Sequence, residues 1–159
     1  MKEIMKNKKG FTLIELLAVI VLLAIVGVVG ANLIITRLNK GKVDTFVNDY
    51  RDIVKEVSAA QIDGMTDCSA SGTTKCSDYI DYATNDIDLT VAMDENSKTT
   101  VTAVANTNGT FKKINLEKYY CSDENANGAG KCKASGETRT KLPKGAVLTN
   151  KTTITGSFE

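Results

Sequence analysis

Glu15 is the only charged side chain among the twenty-five residues Phe11–Ile35, which read FTLIELLAVIVLLAIVGVVGANLII. As one helix this segment measures about 37 Å, enough to cross a hydrocarbon core of about 30 Å. A carboxylate near one end of such a segment is costly unless a positive group meets it, so it marks a functional position. Phe11, four residues earlier, shares its helical face. Ahead of both lies a short basic leader, Met1–Gly10, which holds four lysines and one glutamate and ends in Lys8-Lys9-Gly10.

The other chemistry-bearing residues are fewer. The chain contains no histidine, which removes the commonest general base and metal ligand and with them any Ser-His or Cys-His arrangement. No enzyme and no cofactor are expected. Four cysteines behind an export-type N-terminus predict disulfides, since oxidising compartments let them persist. Cys68 and Cys76 are close in sequence, as are Cys121 and Cys132, and local pairing is preferred among the three connectivities. Spacings of eight and eleven residues do not match the tight Cys pairs of zinc sites, so no structural metal is expected. Asp123, Asn125 and Asn127, followed by Gly128, copy the first half of a calcium loop. The twelfth position is Ala134 instead of a bidentate Glu, which leaves a weak candidate.

Periodicity supplies the elements that must carry these groups. After polar Thr36–Lys42, apolar residues recur at Val43, Phe46, Val47, Tyr50, Ile53, Val54, Val57 and Ala60. Gaps of three and four define one helical face. The economical reading is one helix from Phe11 to about Asp63, stopped by Gly64. Its first half is apolar all round, and its second half needs a sheet. Ile87–Met93 and Thr99–Ala105 alternate at period two, Asn106–Gly109 predicts a hairpin turn, and Thr110–Tyr120 reads as a third strand. Residues 121–145 form a loop, and Ala146–Ile154 reads as a final short strand. The class expected is α+β, a long helix on a small antiparallel meander.

Lys8-Lys9-Gly10-Phe11-Thr12-Leu13-Ile14-Glu15 with its apolar run resembles the processing site and N-terminal helix of type IV pilins and pseudopilins. The resemblance stops near Ile35. Many members carry a proline midway along this helix, whereas the only proline here is Pro143. It implies a leader, 1–10, cut off between Gly10 and Phe11 by a prepilin peptidase, which also methylates the new Phe11 amine. Residues 11–35 then serve as transmembrane and filament-core helix, and 36–159 as the head. Glu15 is expected to meet a Phe11 amine of its own or a neighbouring subunit and to set register during assembly.

The partners implied are further copies of the chain, the peptidase, and an inner-membrane assembly platform with its ATPase. The subunit is single-pass in the cytoplasmic membrane before assembly and lies in an extracellular filament afterwards, serving adhesion, motility or aggregation. Residues 44–95 carry a net charge of −9 and residues 111–151 a net +5; such opposite patches suit packing of copies against one another. No global basicity points to nucleic acid. Alternatives remain: a pseudopilin of a secretion or DNA-uptake system, a signal peptide cut after Ala31, a plain signal anchor, or an exported, membrane-anchored enzyme or binding module.

Overall fold

A computed structural model describes residues 11–69, 72–81, 86–106, 108–122, 131–132 and 138–158. The leader with Gly10, and Asp123, Asn125 and Asn127, lie outside them. Helix α1 spans Leu13–Ile62 and is assigned as helix through Gly27, Gly30 and Asn32. Its end is built as expected. Gly64 has a positive φ of 98°; its N–H donates to the Gln61 carbonyl, and the Met65 N–H reaches back to the Ala60 carbonyl. These two bonds satisfy carbonyls that the last turn leaves without helical partners, and buried Met65 and Ala60 supply the accompanying apolar contact.

Seven strands follow: β1 Cys68–Ser69, β2 Ile87–Met93, β3 Thr99–Ala105, β4 Tyr120–Cys121, β5 Thr140–Lys141, β6 Ala146–Asn150 and β7 Thr153–Phe158. Five of them form one sheet in the order β1-β2-β3-β7-β6, every neighbouring pair antiparallel. β4 and β5 make a separate parallel pair. The protein is α+β, a long N-terminal helix packed with an antiparallel sheet, the pilin-like layout expected.

Within residues 39–158, the helix face is Val43, Phe46, Val47, Tyr50, Ile53, Val57 and Ala60, all buried; Val54 is half-buried at its edge. The sheet answers with two rows in register. Leu89, Ala103, Ile154 and Leu148 form one, and Val91, Val101, Gly156 and Ala146 the other. Small residues in these rows make room for large ones on the helix, as dense packing requires. The Tyr50 hydroxyl occupies the space that a side chain at residue 156 would need. Only glycine fits there.

The third strand is a correction. Residues 110–119 are not a strand; they make tight turns and a short 3-10 turn at Leu116–Lys118, and Tyr120 opens β4. β7 takes the place beside β3 instead, and the segment read as one final strand is a hairpin of β6 and β7. The cause is visible at Asp86. Its carboxylate accepts bonds from the Thr110 N–H at 2.8 Å and the Thr110 hydroxyl at 2.7 Å, and its carbonyl accepts the Asn106 N–H. Gly109 lies so close that any Cβ there would meet that carboxylate. The chain is thus pulled across the end of β2 and away from the β3 edge. Phe111, Ile114 and Leu116 are buried, with the Phe111 ring edge-on to Phe46 at 5.2 Å.

Both disulfides are local: Cys68 to Cys76, and Cys121 to Cys132. The second closes a loop that side chains tie to its surroundings. The Ser122 hydroxyl accepts the Leu148 N–H of β6, and Arg139 donates to the Glu117 and Lys131 carbonyls. The Tyr120 hydroxyl donates to Asp44 at 3.0 Å. Burial, then the Asp44 carboxylate, pushes the Tyr120 phenol up to about 12, so it keeps its proton and remains a donor.

Two predictions follow from this packing. Phe46→Ala or Ile53→Ala costs about 2–5 kcal/mol in the full chain, oxidised or reduced, whereas Val54→Ala at the rim costs markedly less. Denaturation midpoints that rank all three alike would contradict a helix face covered by the sheet. The second concerns acid. The Thr110 hydroxyl, then its N–H, holds the Asp86 carboxyl below the usual carboxylate range. The stabilisation is therefore complete above the unfolded pKa and is lost as pH falls through the lowered folded value. An NMR titration should show the Thr110 amide shifting at that low pH, and Thr110→Ala should move the Asp86 titration upward. An unmoved Asp86 would refute the assignment.

Candidate functional site

The first turn of α1 is closed by its own side chains. Thr12 precedes the helix, and its carbonyl accepts the first helical bond, from the Leu16 N–H. One Glu15 oxygen accepts the Thr12 N–H at 2.8 Å and the Thr12 hydroxyl at 2.9 Å. The Glu15 N–H returns to the Thr12 hydroxyl oxygen at 3.3 Å. This is a reciprocal capping box, which satisfies amides that a helix start leaves without partners and sets a carboxylate at the positive end of the helix dipole. Thr12 was passed over as a functional residue. Its signal was plain in the sequence: Thr, two residues, then Glu, directly before an apolar run.

From that turn to Leu38 the large apolar side chains are left exposed. Large apolar residues from Phe11 to Leu38 are 50–87% exposed. A window of this helix reaches a mean hydropathy of 2.9 with none of it buried. Length and composition alone would also suit the core helix of a soluble domain, but such a helix is buried. This one presents an apolar surface on every side, as a helix surrounded by lipid or by other apolar helices does. The Thr36 hydroxyl, which donates to the Asn32 carbonyl, opens the polar stretch that follows.

Phe11 itself is 87% exposed and stands next to the capping residue. In the chain as translated its nitrogen belongs to the Gly10–Phe11 peptide, so a charged Phe11 amine facing Glu15 is a property of a processed form. Among the described residues no group of three His, Cys, Asp or Glu is placed to hold a metal ion, and all four cysteines are in disulfides.

Neither a curated protein nor a solved structure matches the chain. The N-terminal segment is another matter: residues 5–31 match the family model of the prokaryotic N-terminal methylation motif. The chain therefore carries, across its Gly10–Phe11 junction and capped apolar helix, the signal motif of type IV prepilins and pseudopilins.

Proposed function

We propose that this chain is a type IV prepilin. It is cut between Gly10 and Phe11 and methylated on the Phe11 amine, and its mature form polymerises through residues 11–35 into a surface filament. The observation that carries the reading is the uncovered apolar helix joined to the methylation motif. Eighteen large apolar side chains between Phe11 and Leu38 lie exposed. At roughly 1.5–3 kcal/mol for each one buried, their transfer out of water exceeds the whole stability of a small domain, about 5–15 kcal/mol. They must be covered. Lipid serves before assembly, and the same surfaces of neighbouring subunits serve after it.

In this scheme Glu15 has two tasks. With Thr12 it caps the helix, and once the leader is removed its charge meets a Phe11 amine four positions away or on the neighbouring subunit. A paired charge is far cheaper in an apolar core than a lone one, so a subunit that docks with the pair unmade is disfavoured. The head, residues 39–159, forms the outer surface and carries both disulfides. A pseudopilin shares the same N-terminal chemistry and differs in fibre length and place.

Mass spectrometry of the mature protein is expected to give residues 11–159 plus one methyl group; a chain beginning at Asn32 would end the proposal. Immunogold labelling with antibody to residues 64–159 should decorate long surface fibres, and label confined to the envelope would assign a pseudopilin instead. Glu15→Gln keeps oxygen and amide for capping and loses only the charge. It should leave cleavage and insertion intact and lower fibre yield as severely as Glu15→Val. Normal yield from Glu15→Gln would leave capping as the sole role of this residue.

A further inference from the structure

A cavity of about 300 Å³ opens between α1 and the end of the sheet formed by β6 and β7. Its walls are largely apolar, with Val54, Pro143, Ala146 and Phe158 among them, while Arg51, Lys55 and Lys144 are the only charged residues among the described ones that line it. These three cations are exposed, and among the described residues no carboxylate shares the lining. Lys55 is already paired with Asp52 at 2.7 Å. Lys144 makes no hydrogen bond or ion pair with another described residue.

Tyr50 also lines this space, lying against Gly156. It is only 2% exposed, and its hydroxyl has no hydrogen-bond partner among the described residues. The hydroxyl oxygen is not among the side-chain atoms sealed from solvent without a partner, so it reaches the cavity and is free to donate there. Burial also drives the Tyr50 phenol well above its usual range, so its proton is held and available to donate. An apolar chamber, one convergent donor and a cationic mouth are the usual elements of a small-ligand site.

We infer that this cavity binds a small amphipathic carboxylate, whose apolar body lies against Val54, Pro143 and Phe158 while its oxygens accept the Tyr50 hydroxyl and face Lys144 and Arg51. The volume suits an aryl or short alkyl acid. The site lies wholly within the head and holds whether or not the chain polymerises. Neutral ligands of the same shape gain the apolar contacts alone, so the acid group decides selectivity.

The test is calorimetric titration of phenylpropionate into the full chain in lipid nanodiscs, with phenylpropanol as neutral control and empty nanodiscs as background. Saturable one-to-one binding of the acid is expected, with the alcohol about tenfold weaker or more, the discrimination a charge-assisted hydrogen bond provides. Tyr50→Phe and Lys144→Gln should each weaken the acid about tenfold and leave the alcohol unchanged. Val54→Trp, which fills the chamber, should abolish both. Lys144 is exposed, so Lys144→Gln tests the site even where Tyr50→Phe disturbs the head. No saturable binding to wild type, equal affinity for acid and alcohol, or binding that survives Val54→Trp would each overturn the inference.

Discussion

Seven buried side chains from Val43 to Ala60 line one face of α1, and the rest of the head is arranged to cover them. The sheet does so with rows that mix large and small residues: Ala103 lies between Leu89 and Ile154, and Gly156 and Ala146 follow Val91 and Val101. A helix can settle on such a surface only where its own large residues meet the small ones. Tyr50 shows this most sharply, since its ring end uses the volume that any side chain at Gly156 would take. Register, strand order and the choice of glycine all answer to that one face.

The same helix imposes a second and opposite demand. Before Leu38 it has no continuous polar face, and its large apolar side chains lie exposed among the described residues. One element therefore belongs to two solvents. Its polar stretch from Thr36 to Lys42 marks the change, and Val43 is the first side chain fully withdrawn from water. Packing of the head follows the ordinary rules of a small soluble domain, whereas residues 11–38 carry apolar side chains on every side. That asymmetry fits membrane anchoring by the apolar half.

How much of this was legible in the sequence depended on whether the deciding interaction was local. The helix face, the stop at Gly64 and strands β2 and β3 were readable, because periods of 3.6 and 2 and a left-handed glycine are local signals. The third strand was misread because Thr110–Tyr120 has strand-like composition, yet Phe111, Ile114 and Leu116 are spaced for a turning chain. What redirects it is Asp86, twenty-four residues away. β7 was underread since Thr153, Thr155 and Ser157 give it weak hydrophobic alternation; its place beside β3 rests on pairing that no local pattern announces. The capping box differs, being local and simply overlooked beside the louder apolar run. The partners of Glu15 in an assembled state depend on other molecules, and no reading of one chain contains them.

The stretch from Asn106 to Leu142 shows what replaces regular structure when a chain must cross the end of a core. Among the described residues of this stretch, ladder pairing is limited to the two-residue pair of β4 and β5 and one isolated bridge between Ser122 and Lys131, so other backbone groups find partners individually. Asp86 takes the Thr110 amide, the Ser122 hydroxyl accepts an amide from β6, and Arg139 spans two carbonyls. These ties are made by individual side chains, unlike a ladder whose backbone bonds support one another. The Cys121–Cys132 disulfide lies in this same stretch, where a covalent link limits the unfolded alternatives that weak, scattered bonds cannot suppress. One cross-link thus lies where ladder pairing is sparse, and the other, Cys68–Cys76, ties the edge strand β1 to the core it borders.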